Sequence, residues 1–405
     1  MAIPVDELEL PSLDIMGVER HRAMADVADA RRQHWLARTP LGYLVVTHED
    51  AVSVLRDRRF HSALSLIPQR AGIDAPATTE RRQQSILSME GDEHARLRRL
   101  VAPAFTPAAA DRLRPFMREV MTQILDDVVP LGSADFVSAV CEPYPVPVIC
   151  ELLGAPKEDW KLFSAWATDI FRIFNQQLDE DLPAIERAAG ELGRYVRAMV
   201  DRRRPQPADD LLSALIAVEE QGDRLSTDEL VSLAQTVLMA GTDTTRNQLG
   251  CCVALFLDHP EQWQALAGDP TSVPRAVEEA VRYLGAVRGT SRVASEDIEY
   301  RGVLFPKGTL VSVSLAGANR DPSTFEGPDR FDVRQARSAQ QLTFGSGIHH
   351  CLGAALARAE LQEALPLIAR RMPSLAVDGT IEWKPPTFGI WGPAKLPLRW
   401  TVHGS

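Results

Sequence analysis

Apolar positions recur at three- and four-residue spacing through most of the chain, with Pro and Gly between the periodic stretches. That pattern predicts helices far more often than strands. Residues 18–37, 48–56, 90–101, 108–129, 157–174, 183–203, 209–220 and 354–371 read as helices. Ser226-Thr227-Asp228-Glu229 is a capping box. It opens a helix to Leu257, on the order of 48 Å at ~1.5 Å per residue. Short β-rich runs stand at Tyr43–Thr47, Ser291–Ala294, Ile298–Tyr300, Val303–Phe305 and Thr309–Val313. Residues 387–400 read as a hairpin, with Phe388, Ile390 and Trp391 near its turn, and Tyr144–Val148 as a Pro-broken entry rather than a central strand. Residues 61–89 lose periodicity, as a functional or a disordered loop would, and Leu64, Leu66, Ile67 and Ile73 make the stretch apolar for a solvated one. The expectation is a mainly α protein with a small β region, one domain over 1–405, and a loosely ordered tail at 1–15.

Composition narrows this picture without naming a chemistry. The 405 residues are 45% hydrophobic and 24% charged, enough for a large core. The net charge of −11 comes with no basic stripe interleaved with aromatics, which argues against a nucleic-acid partner. Five scattered cysteines make no disulfide framework and fit a reducing compartment. The acidic N-terminus has no apolar core of a signal peptide or membrane anchor, so a soluble, cytoplasmic protein is expected, and a monomer.

Chemistry concentrates in a few stretches. Phe344-Gly345-Ser346-Gly347-Ile348-His349-His350-Cys351-Leu352-Gly353 stands directly before the helical run 354–371. Glycines permit tight turns and close approach to a bulky partner. A thiol just ahead of a helix is expected to have a lowered pKa, favouring a thiolate that binds a soft metal centre, haem iron included. A cysteine taken alone is more often an inert buried hydrophobe. Within the long helix, Ala240-Gly241-Thr242-Asp243-Thr244-Thr245 places Gly and three Thr where they form helix poorly. The segment is either a packing accommodation or a groove with an acid and an alcohol beside it. His94 and Arg98 are four apart on one helical face and suit a carboxylate, or simply a solvated face. Glu279 and Arg282 stand i, i+3, usually a surface pair worth ~0.3–0.5 kcal/mol.

Together these stretches resemble the cytochrome P-450 superfamily. Phe344, Gly347, Cys351 and Gly353, with Gly345, match its haem-binding signature. Ala240, Gly241, Asp243 and Thr244 match its distal-helix pattern, and Glu279-x-x-Arg282 its structural pair, for which Arg330 stands where the third partner is expected. The resemblance spans roughly His48 to Trp400 in five motifs and implies a haem between the long distal helix and a proximal Cys loop. It implies haem b held non-covalently, Cys351 as axial metal ligand, and propionate contacts from His94, Arg98, Arg292 and His349. It also implies proton delivery by Asp243 and Thr244 to bound O2, mobile substrate-access loops at 61–89 and 175–183, and pocket positions at Met239, Ala240, Val287, Arg288, Thr290 and Ile390. Arg288 is expected to meet either a substrate carboxylate or solvent. The implied reaction inserts one oxygen atom of O2 into a lipophilic small molecule. No flavin or nicotinamide fingerprint is present, so a ferredoxin with its reductase is the expected electron donor, docking near Arg96, Arg99 and Arg358. Alternatives are a peroxygenase, disfavoured by the Asp243–Thr244 pair, a haem-based sensor, which needs an effector segment, and a zinc site at His349, His350 and Cys351, whose adjacent side chains converge poorly.

Overall fold

A computed structural model describes the chain except residues 1, 16, 176, 222–224, 338, 386–388 and 403–405. Its centre is the helix Thr227–Leu257. Ser226 accepts from the Glu229 backbone and Glu229 from the Ser226 backbone, so the capping box closes as expected. From Thr245 to Phe256 every residue is buried, which explains the apolar run and the lack of an outward polar face. Helices Pro145–Leu153, Trp160–Phe171, Leu178–Arg203 and Ala354–Arg371 pack against it, and Pro107–Val128 packs on Ala354–Arg371, all within the largest core cluster. The prolines at 145 and 147 lie in the first turn of the Pro145–Leu153 helix, where the missing N–H has no intrahelical partner to lose.

A second, smaller core lies under a five-stranded sheet ordered Leu36–Thr39, Gly42–Val45, Leu310–Ser314, Gly289–Ala294 and Phe60–Ser62. The pairing of Gly42–Val45 with Leu310–Ser314 is parallel and joins segments far apart in the chain. The strands at 298–300 and 303–305 fall where the alternation places them.

Several expectations differ from what is observed. The 1–15 tail is anchored: Ile3–Pro4 pairs in parallel with Val303–Leu304, and Val5 is in the sheet core. Its partner is distant in sequence, so local pattern carries no trace of it. Residues 61–89 are built of short pieces, Leu64–Leu66, Ile67–Arg70 and Pro76–Gln83, each too short to display a helical repeat. In 175–183 the helix already starts at Leu178, with Pro183 inside it. The hairpin expected over 387–400 is not what its described strands form: Pro393–Lys395 pairs with Glu382–Trp383, and Pro397–Arg399 with Ala376–Val377 and Ser133–Asp135; Thr387 and Phe388 lie outside the described residues. The helix expected over 18–37 stops at Gln33, because Leu36–Thr39 turns back through 40–41 to pair with Gly42–Val45.

Candidate active site

A cavity of about 710 Å³ lies between the long helix and the loop that carries Cys351. On the helix side, Ala240 is exposed and Gly241 and Thr244 are half-buried in a segment otherwise packed in core. All three line the cavity. The helix stays continuous here: Thr242 Oγ1 donates to Leu238 O and Thr244 Oγ1 to Ala240 O, each at 2.7 Å. These back-bonds satisfy the hydroxyls without unwinding the turn. Gly241 also meets the neighbouring helix, since a Cβ there would stand 2.7 Å from Ile149 Cγ1.

Opposite, Phe344, Gly345, His349, Cys351 and Gly353 line the cavity, while Gly347 lies against the backbone of Leu55 instead. The Cys351 N–H donates to Phe344 O at 2.8 Å, which closes the loop around the thiol. Burial pushes the Cys351 thiol up from its ordinary value, against the Gly353 N–H, Arg98 and Arg358, which pull it down. The lowered pKa expected from the helix end is therefore corrected: in the polypeptide alone, desolvation outweighs the helix end and the nearby cations.

His94, Arg98 and Arg292 join the same cavity. Burial, with His349 and Arg98 nearby, lowers His94 to about 4, so its imidazole is neutral at ordinary pH. Burial likewise lowers Arg292 to about 10, and it lowers Arg98. Arg98 Nη2 donates to His350 O at 2.6 Å, and Arg292 Nη1 to Thr290 Oγ1 and Ser291 O at 3.1 Å. Among the described residues neither arginine pairs with a carboxylate. His349 Nε2 meets Glu90 Oε1 at 3.0 Å and its ring lies 4.7 Å from that of His94.

This set fits a haem. One thiol opens onto the cavity, small residues face it, and a buried and a half-buried guanidinium, Arg292 and Arg98, lack the negative charge that two acid arms would bring. A zinc ion fits poorly, because among the described residues no three His, Cys, Asp or Glu side chains gather as a metal would need.

Other predicted positions fall elsewhere. Asp243 is buried, does not line the cavity, and pairs with Arg246, with Lys384 Nζ at 3.7 Å. Arg246 in turn reaches Glu142 at 3.3 Å. Val287, Thr290 and Ile390 line the cavity, with Val287 and Ile390 bridged to each other. Met239 belongs to the core rather than the lining. Arg288 is also outside the lining, its guanidinium 5.1 Å from the Trp391 ring centre. The third partner of Glu279 and Arg282 is Arg337, not Arg330. Arg337 Nη2 meets Glu279 at 2.9 Å, whereas the Arg330 side chain pairs with Asp332 and only its carbonyl accepts from Arg282. Arg337 sits on an irregular segment, where spacing holds no signal. Of the three arginines expected to dock a partner, Arg96 pairs with Glu229 and Arg358 with Glu278, while Arg99 is exposed.

Glu360 escaped the sequence reading. It lines the cavity from the helix after the Cys loop, is 2% exposed, and accepts from Thr245 Oγ1 at 3.4 Å. Burial pushes its carboxyl well above the ordinary range. The available signal was a Glu set between apolar Ala359 and Leu361 on a core-facing turn.

Comparison with known proteins agrees with this geometry. The family model described as Cytochrome P450 matches residues 148–269 and 271–381. Luteothin monooxygenase of Streptomyces thioluteus is 36% identical over 96% of this chain and 96% of its own. Mycinamicin IV hydroxylase/epoxidase of Micromonospora griseorubida is 38% identical over 90% and 91%. The crystal structure of CalO2 superposes with a TM-score of 0.89 at 29% identity, covering 98% of this chain and 100% of that one. Among the described residues no helix is long and apolar enough to cross a membrane. With a family model over more than half the chain and relatives aligned nearly end to end, this chain belongs to the cytochrome P450 family of haem-iron monooxygenases.

Proposed function

We propose that the chain holds haem b without covalent attachment, with the Cys351 thiolate as axial ligand, and hydroxylates or epoxidises its substrate with electrons from a ferredoxin and its reductase. The observation that carries this reading is the Cys351 thiol opening onto a cavity whose facing wall is Ala240, Gly241 and Thr244. When bound, the haem supplies O2 activation and transfer of one oxygen atom, with thiolate donation favouring O–O cleavage.

The chain's own residues do the rest. Arg98 and Arg292 hold the acid arms, with His94 and His349 as neutral or partnered donors beside them. Thr244 Oγ1 donates its hydrogen bond to Ala240 O, which leaves its oxygen lone pairs to accept a hydrogen bond on the cavity side. The Asp243 side chain lies just behind that point, held by Arg246 and Lys384. On turning out of that pair it takes up a proton from solvent water and passes it on, through water, to Thr244. The second oxygen atom leaves as water, which consumes two protons and two electrons. The apolar walls, among them Val287, Phe174 and Ile390, orient the substrate and exclude water.

Cys351→Ser tests the reading. The reduced, CO-bound wild type is expected to show a strongly red-shifted Soret band, and the variant to lose it together with oxygenated product. A wild-type protein that purifies without haem and lacks that band overturns the proposal.

A further inference from the structure

We infer that Arg70 is the anchor for an acidic head group, so that the cavity takes amphiphilic carboxylic acids, apolar along their length and ionised at one end. This rests on the reading of the cavity as the substrate site.

The lining away from the haem seat is largely apolar, with Leu41, Ile86, Leu87, Phe171, Ile173 and Phe174 among its members. Arg98 and Arg292, with the imidazoles of His94 and His349, belong to the haem edge, and His350 adjoins the cysteine. Among the described lining residues Arg70 is the one further cation. No ionised carboxylate balances it there, since Glu360 is the lining carboxyl and burial favours its neutral form.

Arg70 closes the short helix Ile67–Arg70, and Ile67 packs against the cluster of Ile173, Leu178 and Ile185. This wall is separate from the core that carries the long helix and the Cys loop. Arg70 Nε is shut off from solvent and has no hydrogen-bond partner among the described residues. Its guanidinium makes no ion pair with them either, and burial lowers its pKa with no acid nearby to offset the effect. Two other arginines differ from it in finding partners. Arg320 also has an unpartnered Nε, but its terminal nitrogens meet Asp329 and Tyr283 O, each at 2.8 Å. Arg82 is deeply buried and donates to Leu64 O at 2.8 Å.

A half-buried cation without a counter-charge carries a desolvation cost that a ligand can relieve. The planar fork suits a carboxylate, which accepts two parallel bonds. One guanidinium without a second cation beside it in the lining matches a single negative charge rather than a dianionic phosphate.

The test titrates the haem-loaded protein with dodecanoate and with dodecan-1-ol at neutral pH by calorimetry. Both probes share a chain and differ in the head group. Wild type is expected to bind the acid about ten- to a hundredfold more tightly than the alcohol, the range for a hydrogen bond to a charged group. Arg70→Gln should bring the two close to parity by weakening the acid alone, and Arg70→Lys should restore part of the preference. Equal binding of acid and alcohol by wild type, or an undiminished preference in Arg70→Gln, overturns the inference. The reduced CO spectrum of the same samples reads the haem–thiolate site independently, so failure of that reading is seen separately from failure of the Arg70 anchor.

Discussion

Gly345 and Gly347 offer a controlled comparison within the Cys loop. Both hold left-handed backbone, with φ of 72° and 74°. Alanine at either position therefore costs about 1–2 kcal/mol for that conformation alone. The space around them differs. A Cβ at 345 meets nothing nearer than His349 O at 3.9 Å, whereas one at 347 falls 2.1 Å from Leu55 O and 2.9 Å from Leu55 C. Those atoms are backbone near the end of the helix His48–Arg56, so no side-chain rotation relieves the overlap. Reaching carbon contact at about 3.5 Å requires the loop or the helix end to move by more than an ångström. Overpacking of this kind adds about 1–3 kcal/mol. Gly347→Ala should then lose about 2–5 kcal/mol, against about 1–2 kcal/mol for Gly345→Ala. The displacement also reaches the thiol, because Arg56 Nε holds Ser346 Oγ at 3.0 Å and Cys351 N–H holds Phe344 O. Urea unfolding measures the stability change, and the reduced CO spectrum measures thiolate ligation. Gly345→Ala should keep the red-shifted band and Gly347→Ala should lose much of it. Equal losses in both variants, or a more damaged Gly345→Ala, refute the steric reasoning.

Glu279→Ala removes the carboxylate facing Arg282 and Arg337 and leaves a fully buried guanidinium; unfolding should show a loss of about 3–5 kcal/mol, and a loss below about 1 kcal/mol would contradict a buried pair. Burial pushes the Glu279 carboxyl up, but its bonds from Arg282 and Arg337 outweigh this and the net shift is downward. Its stabilisation is thus fully present above the ordinary carboxylate range and fades as pH falls through the depressed folded value, which acid titration of wild type against Glu279→Gln checks. Thr244→Ala should cut oxygenated product on the order of a hundredfold while O2 uptake continues and ends as hydrogen peroxide; unchanged product per O2 consumed would remove Thr244 from proton delivery.

The clearest sequence signals were local ones. The capping box at Ser226, the strands at 298–300 and 303–305, and the helix His48–Arg56 appear where pattern puts them, because caps and alternation depend on neighbours within a few residues. His94 and Arg98 share a cavity wall because they share a helical face. The short helices within 61–89 were missed for the complementary reason, since a four-residue helix has no period to read.

By itself the sequence determined the helical class, the long central helix, and the order of motifs that ties Cys351 to a haem family. Tertiary structure alone decided which partners those residues meet. It selected Arg337 over Arg330 for Glu279, turned Arg288 onto Trp391, brought Lys384 to Asp243, and buried Glu360 as a neutral acid. It also left Arg70 facing the cavity without a counter-charge. Periodicity reports which face of an element is buried, but a charge finds its partner through contacts across scores or hundreds of residues. The desolvation that shifts a pKa exists only once those contacts have closed.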